Sequence, residues 1–239
     1  MQLPDDNVIR FFLWWKEGKI DGKATGRVDL DLSATIFRSN WKYMNHISYT
    51  NLKEAKLGCC HSGDITSAPK GASEFIDIDL EKVRAAGGRY VICSIQSFTC
   101  NPFCDLPQYY VGWMSRNKPN SGEIYEPATV KDKIDLASNT RVSIPMLIDL
   151  EDRSAIWADL ALRSMPGHRV NIESNMRGLV HYGIGIETMV KPALKELFSL
   201  HVEARGEATE TAEEADSVFS VEDGITPFDF EKIASEYLA

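Results

Sequence analysis

The sequence predicts a mainly-β protein, a sandwich or a barrel, followed by C-terminal helices. Three observations predict it. From residue 8 to about residue 163, short β-branched and aromatic runs are separated by clusters of Gly, Pro, Asn and Ser, a spacing that favours many short strands over βαβ units. In "RVDLDLSATIF" at 27–37, Val28, Leu30, Leu32, Ala34 and Ile36 share one face while Asp29, Asp31 and Ser33 share the other, the two-residue period of a half-buried strand. Beyond residue 163 that period gives way to helical spacing.

In chain order, the expected strands cover 8–15, 27–37, 41–49, 73–79, 88–98, 109–115, 141–149 and 154–162. "EFIDIDL" repeats the alternation: Glu74, Ile76, Ile78 and Leu80 lie on one face and Phe75, Asp77 and Asp79 on the other, with Glu74 at the strand mouth. "DLEKVRAAGG" then reads as one or two helical turns stopped by Gly87 and Gly88. A helix follows in "KPALKELFSLHVEAR", where Leu194, Leu197, Phe198 and His201 share a face and Pro192 fits a first turn. "GEATETAEEAD" is acidic and short of large apolar side chains, as a flexible linker is. "ITPFDFEKIASEYLA" restarts a helix with Thr226 as N-cap, Pro227 at the first helical position and Asp229 three residues after the cap. The expected organisation is therefore a β-domain over 1–165, a helical extension packed on it over 166–205, a linker over 206–216 and a helical tail over 217–239. A helix on a tether is read as docking onto this domain or onto a protein partner. No internal repeat is present.

At 239 residues and 26.8 kDa, with 44% hydrophobic residues, the chain is long enough for one large domain with a substantial core. Its formal net charge of −9 repels phosphate backbones, so nucleic acid is not an expected partner, whereas a divalent cation is. The longest early apolar run, "FFLWW" at 11–15, is a strand's length, far from a membrane span. The start "MQLPDDNVIR" lacks the basic and apolar regions of a signal peptide. Five cysteines, at 59, 60, 93, 100 and 104, are an odd count with two adjacent, unlike a secreted disulfide framework. A cytoplasmic protein is expected.

The chemistry-bearing residues concentrate in two stretches. "DLD" places Asp29 and Asp31 on one strand face with Cα atoms roughly 6.6 Å apart, close enough to lean toward one ion. The loop and strand "HSGDITSAPKGASEFIDIDL" at 61–80 adds Asp64, a main-chain carbonyl near Ile65 or Thr66, and Glu74, with Lys70 as its counter-charge. Calcium accepts such irregular cages of six to eight oxygens, although acidic strand faces are also commonly just solvated. An EF-hand is excluded, because the twelfth residue from Asp29 is Asn40 and from Asp77 is Gly88.

Two further constellations compete. Cys59, Cys60, His61 and Asp64 include the residue types of a thiol site, but neighbours in sequence rarely form a catalytic unit, and adjacent cysteines on a strand face opposite ways. Cys100 and Cys104 have a structural-zinc spacing that Cys59, Cys60, His46 or His61 would have to complete. His168, His181 and His201 are isolated. There is no Walker loop, H-E-x-x-H or G-x-S-x-G, and "GIGIET" at 183–188 lacks the third glycine of a dinucleotide fingerprint.

The ordered segments "VDLDLSA" at 28–34, "HSGDIT" at 61–66 and "EFIDIDLEKV" at 74–83 resemble the TerD family of bacterial tellurium-resistance and stress-response proteins. "FCDLPQYYVGWMSR" at 103–116 and "AIWADLAL" at 155–162 resemble that family's later strands, so the likeness spans about residues 8–163. It implies an antiparallel β-sandwich that binds calcium through the Asp-x-Asp strand and the Ser-Gly-Asp loop. Carried over by position, Asp29, Asp31, Asp64 and Glu74 match, Ile65 contributes its carbonyl, and Asp105 is a further candidate from a neighbouring loop. The chain departs from the family at "TSAPKGAS", which removes the carboxylates a second ion would need and adds Lys70; one calcium is expected. "ITPFDFEKI" resembles a longer subgroup in which such a module ends a multidomain protein. The expected function is a calcium-binding, non-enzymatic module with a regulatory or scaffold role in bacterial stress response. The alternatives are a thiol or metal-dependent enzyme or redox sensor around Cys59, Cys60 and His61, and an ion-independent protein-interaction module.

Overall fold

The computed structural model describes residues 1–116, 119, 122–123, 128, 130–134, 138–162, 175–190 and 193–238; His168 and Pro192 lie outside them. The alternating runs fold as β1 (Val8–Lys16), β4 (Leu30–Phe37), β5 (Tyr43–Ile47), β8 (Ala72–Asp79), β9 (Tyr90–Ser97), β10 (Gln108–Ser115), β12 (Val142–Asp149) and β13 (Ser154–Leu162). The remaining strands are short: β2 (Lys19–Ile20), β3 (Lys23–Ala24), β6 (Lys53–Glu54), β7 (Cys59–His61) and β11 (Val130–Ile134). Two antiparallel sheets result, one in the order β11-β10-β1-β8-β7-β6 and one in the order β13-β12-β9-β4-β5, with β2 and β3 forming a separate hairpin. The chain is a β-sandwich with helices gathered toward its C-terminus.

The sandwich closes because the inner faces are apolar in register. Ile9, Phe11, Leu13 and Trp15 of β1 and Ile76 and Ile78 of β8 share one buried cluster with Leu30, Leu32, Ala34 and Ile36 of β4 and Cys93 and Ile95 of β9. Each large aliphatic or aromatic side chain removed from water here contributes about 1.5–3 kcal/mol. The indole of Trp15 ties the sheets together by donating from Nε1 to the Val28 carbonyl at 3.0 Å. α1 (Leu80–Ala85) starts where β8 ends: Asp79 caps it by accepting from Lys82 N–H at 3.0 Å, and Gly87 stops it at a φ of 90°.

β4 differs from the half-buried strand expected. Every residue from Leu30 to Phe37 is buried, and Asp29 and Asp31 are only 3% and 5% exposed. Alternation records chemistry, not exposure: β4 is an inner strand between β9 and β5, so both its edges are paired. On its outer face Phe37 packs in an apolar cluster with Tyr90, Ile92, Leu147 and the buried Leu179 and Ile186 of α2 (Met176–Thr188).

Two compact units divide the chain, Met1–Thr188 and Met189–Ala239. The division falls inside the stretch expected to be one helical extension over 166–205, because its two helices join separate apolar clusters. α2 belongs to the sandwich through the cluster just described. In the second unit, Phe198 of α3 (Leu194–Arg205) packs with Ile225 and with Ile233 of α4 (Phe230–Glu236), and stacks on Phe219 at a centroid distance of 4.1 Å. Residues 206–214 between them are exposed, with one 3-10 turn at Ala212–Glu214. α4 starts later than expected. Asp229 Oδ2 accepts from the Thr226 N–H and hydroxyl at 2.7 and 2.8 Å, closing a turn ahead of the helix and moving its N-cap from Thr226 to Asp229.

Candidate metal centre

Asp29 and Asp31 flank Leu30, so the strand period that buries Leu30 in the core turns both carboxylates to the opposite face. The start of β4 is fixed from both sides. Asp29 N–H donates to Thr99 Oγ1 at 3.1 Å, and the Asp29 carbonyl accepts from Phe98 N–H at 2.9 Å. Leu30 lies opposite Ser97 and Asp31 opposite Gln96 across the β4–β9 ladder.

The third carboxylate arrives from the other sheet. β7 ends with His61 opposite Ile76 of β8, and Ser62 prolongs the pairing by donating its N–H to the Phe75 carbonyl at 2.9 Å while its Oγ accepts from Phe75 N–H at 2.9 Å. Gly63 then turns at a φ of 117°, a conformation that favours glycine. Asp64 follows, and ligand oxygens of Asp29, Asp31 and Asp64 lie within 4.8 Å of one another. Among the described residues, this is the only group of three His, Cys, Asp or Glu side chains so placed.

The electrostatics are only partly relieved. Burial, then repulsion from Asp64, raises the Asp29 pKa to about 6, with Arg27 opposing the shift. The guanidinium of Arg27, itself half exposed, stands 3.8 Å from Asp29 Oδ2. Asp29 Oδ1 is buried and has no hydrogen-bond partner among the described residues. A buried anionic oxygen without a donor is costly unless a cation meets it. Three carboxylates, with no thiol or imidazole among them, are a donor set for a hard ion such as calcium or magnesium, whose remaining positions carbonyls or water would fill.

No protein-family profile matches the chain, and no curated protein matches it. Solved structures do. A homologue of telluride resistance protein (TerD), SCO6318 from Streptomyces coelicolor A3(2), superimposes with a TM-score of 0.53 at 12% identity, covering 67% of this chain and 93% of its own. The protein SAV2460, of unknown function, superimposes with a TM-score of 0.51 at 13% identity, covering 68% of this chain and 94% of its own. The chain has a TerD-like fold.

Within this TerD-like sandwich, Asp29, Asp31 and Asp64 come together, whereas Glu74 and Asp105 stand outside the group. Glu74 is 1% exposed on the core side of β8. Its Oε1 accepts the Ile65 N–H at 2.8 Å and its Oε2 faces His61 Nε2 at 3.5 Å. Ile65 packs its side chain on the central core. Asp105 is exposed at the end of a short turn, Phe103–Asp105, where Oδ1 accepts from Cys104 Sγ at 3.6 Å.

The thiol constellation is dispersed. Cys59 is buried, its pKa pushed up to about 12 by that burial, while Cys60 points outward from the same strand. Both ring nitrogens of His61 are turned elsewhere, Nδ1 accepting from Gly63 N–H at 3.1 Å and Nε2 facing Glu74. Among the described residues no cysteine belongs to a potential metal-binding group, so Cys100 and Cys104 gain no zinc partners. Sequence reasoning missed the pairing of His61 with Glu74. Its signal lay in the strand register, which puts His61 two positions along β8 from Glu74.

Proposed function

We propose that this protein is a TerD-type, non-enzymatic module that binds one calcium ion at the rim of its sandwich and acts as a regulatory or scaffold component of a bacterial stress response of the tellurium-resistance type. The observation that carries the reading is the buried Asp29 carboxylate, one oxygen without a partner among the described residues, beside Asp31 on the same strand face and Asp64 from the segment that leaves the other sheet. An ion there offsets the mutual repulsion of three carboxylates and ties the 61–65 segment to β4. The TerD-like fold supports the comparison, and five free cysteines suit a reducing cytoplasm.

A protein partner suits the second unit. Residues 189–239 hold twelve acidic against four basic side chains, almost the whole net charge of the chain. Val221, Phe228 and Phe230 are 75%, 77% and 70% exposed in this acidic setting. Exposed aromatics in a field of one sign are what a complementary basic surface recognises.

Calcium titration calorimetry on the full chain, paired with melts in calcium and in chelator, tests the cation reading. At a hundredfold excess over its dissociation constant a ligand specific to the folded state adds about 2.7 kcal/mol. Coincident melts together with no heat of binding would rule the reading out.

A further inference from the structure

Asp64 is the exposed member of the carboxylate group, carried by a segment that has left the sheet, yet an oxygen of it lies within 4.8 Å of oxygens of Asp29 and Asp31. Like charges at that separation repel, and a free loop would swing its carboxylate into water. Two buried side chains oppose the swing. Gly63, on one side of Asp64, donates its N–H to His61 Nδ1 at 3.1 Å; Ile65, on the other side, donates its N–H to Glu74 Oε1 at 2.8 Å.

His61 and Glu74 are themselves fixed. His61 is paired opposite Ile76 and Glu74 opposite Leu13, and their side chains are 0% and 1% exposed. Because His61 Nδ1 accepts from Gly63, the ring proton resides on Nε2, the atom that faces Glu74 Oε2 at 3.5 Å. The contacts therefore run from Gly63 through His61 and Glu74 to Ile65 and enclose the backbone of Asp64.

We propose that His61 and Glu74 are positioning residues, a buried acid–imidazole pair that presents Asp64 to a divalent cation and does not itself bind it. The proposal rests on the cation reading above. It moves Glu74 out of the expected ligand set, because Oε1 is taken by the Ile65 N–H and Oε2, 3.5 Å from His61 Nε2 and without a hydrogen bond among the described residues, lies outside the Asp29, Asp31 and Asp64 group. It assigns Glu74 the outer-layer role that orients ligands around metals, where substitutions typically cost about 10–100-fold in affinity.

The test measures amide hydrogen exchange at Gly63 and Ile65 in chelator, and the calcium dissociation constant by calorimetry, on the full chain. Glu74→Gln keeps an oxygen acceptor for Ile65, so Ile65 stays protected and calcium still binds. Glu74→Leu removes the acceptor; exchange at Ile65 accelerates and the dissociation constant rises by about 10–100-fold. His61→Asn, which can place an acceptor near the position of Nδ1, keeps Gly63 protected, whereas His61→Phe does not. If Glu74→Leu fails to fold, Glu74→Gln and the two His61 variants decide the matter. Loss of calcium binding in Glu74→Gln with Ile65 still protected would make Glu74 a ligand and overturn the proposal. Unchanged exchange at Ile65 in Glu74→Leu, or at Gly63 in His61→Phe, would overturn it too. Absence of calcium heat in the unaltered chain would defeat the cation reading alone, because the exchange rates in chelator still decide whether the pair holds Asp64.

Discussion

The indole of Trp41 lies flat on the ring of Tyr90, centroids 4.1 Å apart and planes inclined by 6°. Both residues also reach one carboxylate of α2: Trp41 Nε1 donates to Glu187 Oε2 at 3.3 Å, and the Tyr90 hydroxyl donates to Glu187 Oε1. The helix comes this close because Gly183 faces the indole with no side chain.

Two glycines of α2 should therefore respond in opposite ways to the same change. Alanine exceeds glycine in helix propensity by about 1 kcal/mol. Nothing lies within 4 Å of a Cβ at Gly185, so Gly185→Ala should raise the melting temperature. At Gly183 a Cβ would stand 2.1 Å from Trp41 Cζ3, and Gly183→Ala should lower stability by overpacking, about 1–3 kcal/mol. Thermal melts followed by tryptophan fluorescence distinguish the two; parallel shifts would contradict the docking described.

Calcium should raise the melting temperature of the unaltered chain, and Asp31→Asn or Asp64→Asn should each remove that rise. Asp79→Asn is the control. Asp79 lies outside the group and serves as the cap of α1, a place where asparagine is as good as aspartate. A response surviving in Asp64→Asn would remove the loop from the site.

Asp29 gives a pH dependence with a definite sign. Its pKa is raised in the folded chain, by burial first and then by Asp64, to about 6. The folded state thus binds this proton more tightly than the unfolded one. Its contribution to stability is greatest below the unfolded value near 4, falls as pH rises to about 6 and stays low above, a change on the order of 3 kcal/mol. In chelator, Asp29→Asn should be more stable than the unaltered chain at pH 7, with the gap closing toward pH 4, and excess calcium should cancel the advantage. Melts across that pH range, with and without chelator, provide the check; equal stability at pH 7 in chelator would mean the carboxylate is not penalised.

Thiol accessibility should divide three to two. Cys60, Cys100 and Cys104 are exposed, while Cys59 and Cys93 are buried with pKa values pushed up by burial. A chromogenic disulfide reagent should titrate three thiols in the native chain and all five in denaturant. Fast native reaction of Cys59 would revive a reactive-thiol role.

The longer strands were legible because alternation over seven or more residues survives any tertiary context, as in β4 and β8. β2, β3 and β6 span two residues each and β7 three, too few to show a period, and they exist through pairing with a neighbour. The carboxylate group was legible in Asp29, Asp31 and Asp64, whose spacing and loop chemistry are local. The place of Glu74 was not: it shares its face with Ile76 and Ile78, and only the register with β7 shows that His61 and the Ile65 N–H meet it there. The boundary after Thr188 was not legible because α2 and α3 look alike as amphipathic segments until the separate clusters they join are known.

β4 carries acid on one side and oil on the other at adjacent residues, with Asp29 and Asp31 interleaved with Val28, Leu30 and Leu32 of the central cluster. On the cation reading proposed above, an ion at the rim would therefore stiffen a core strand as well as a loop, and calcium should slow amide exchange at Leu30 and Leu32 together with that of the 61–65 segment.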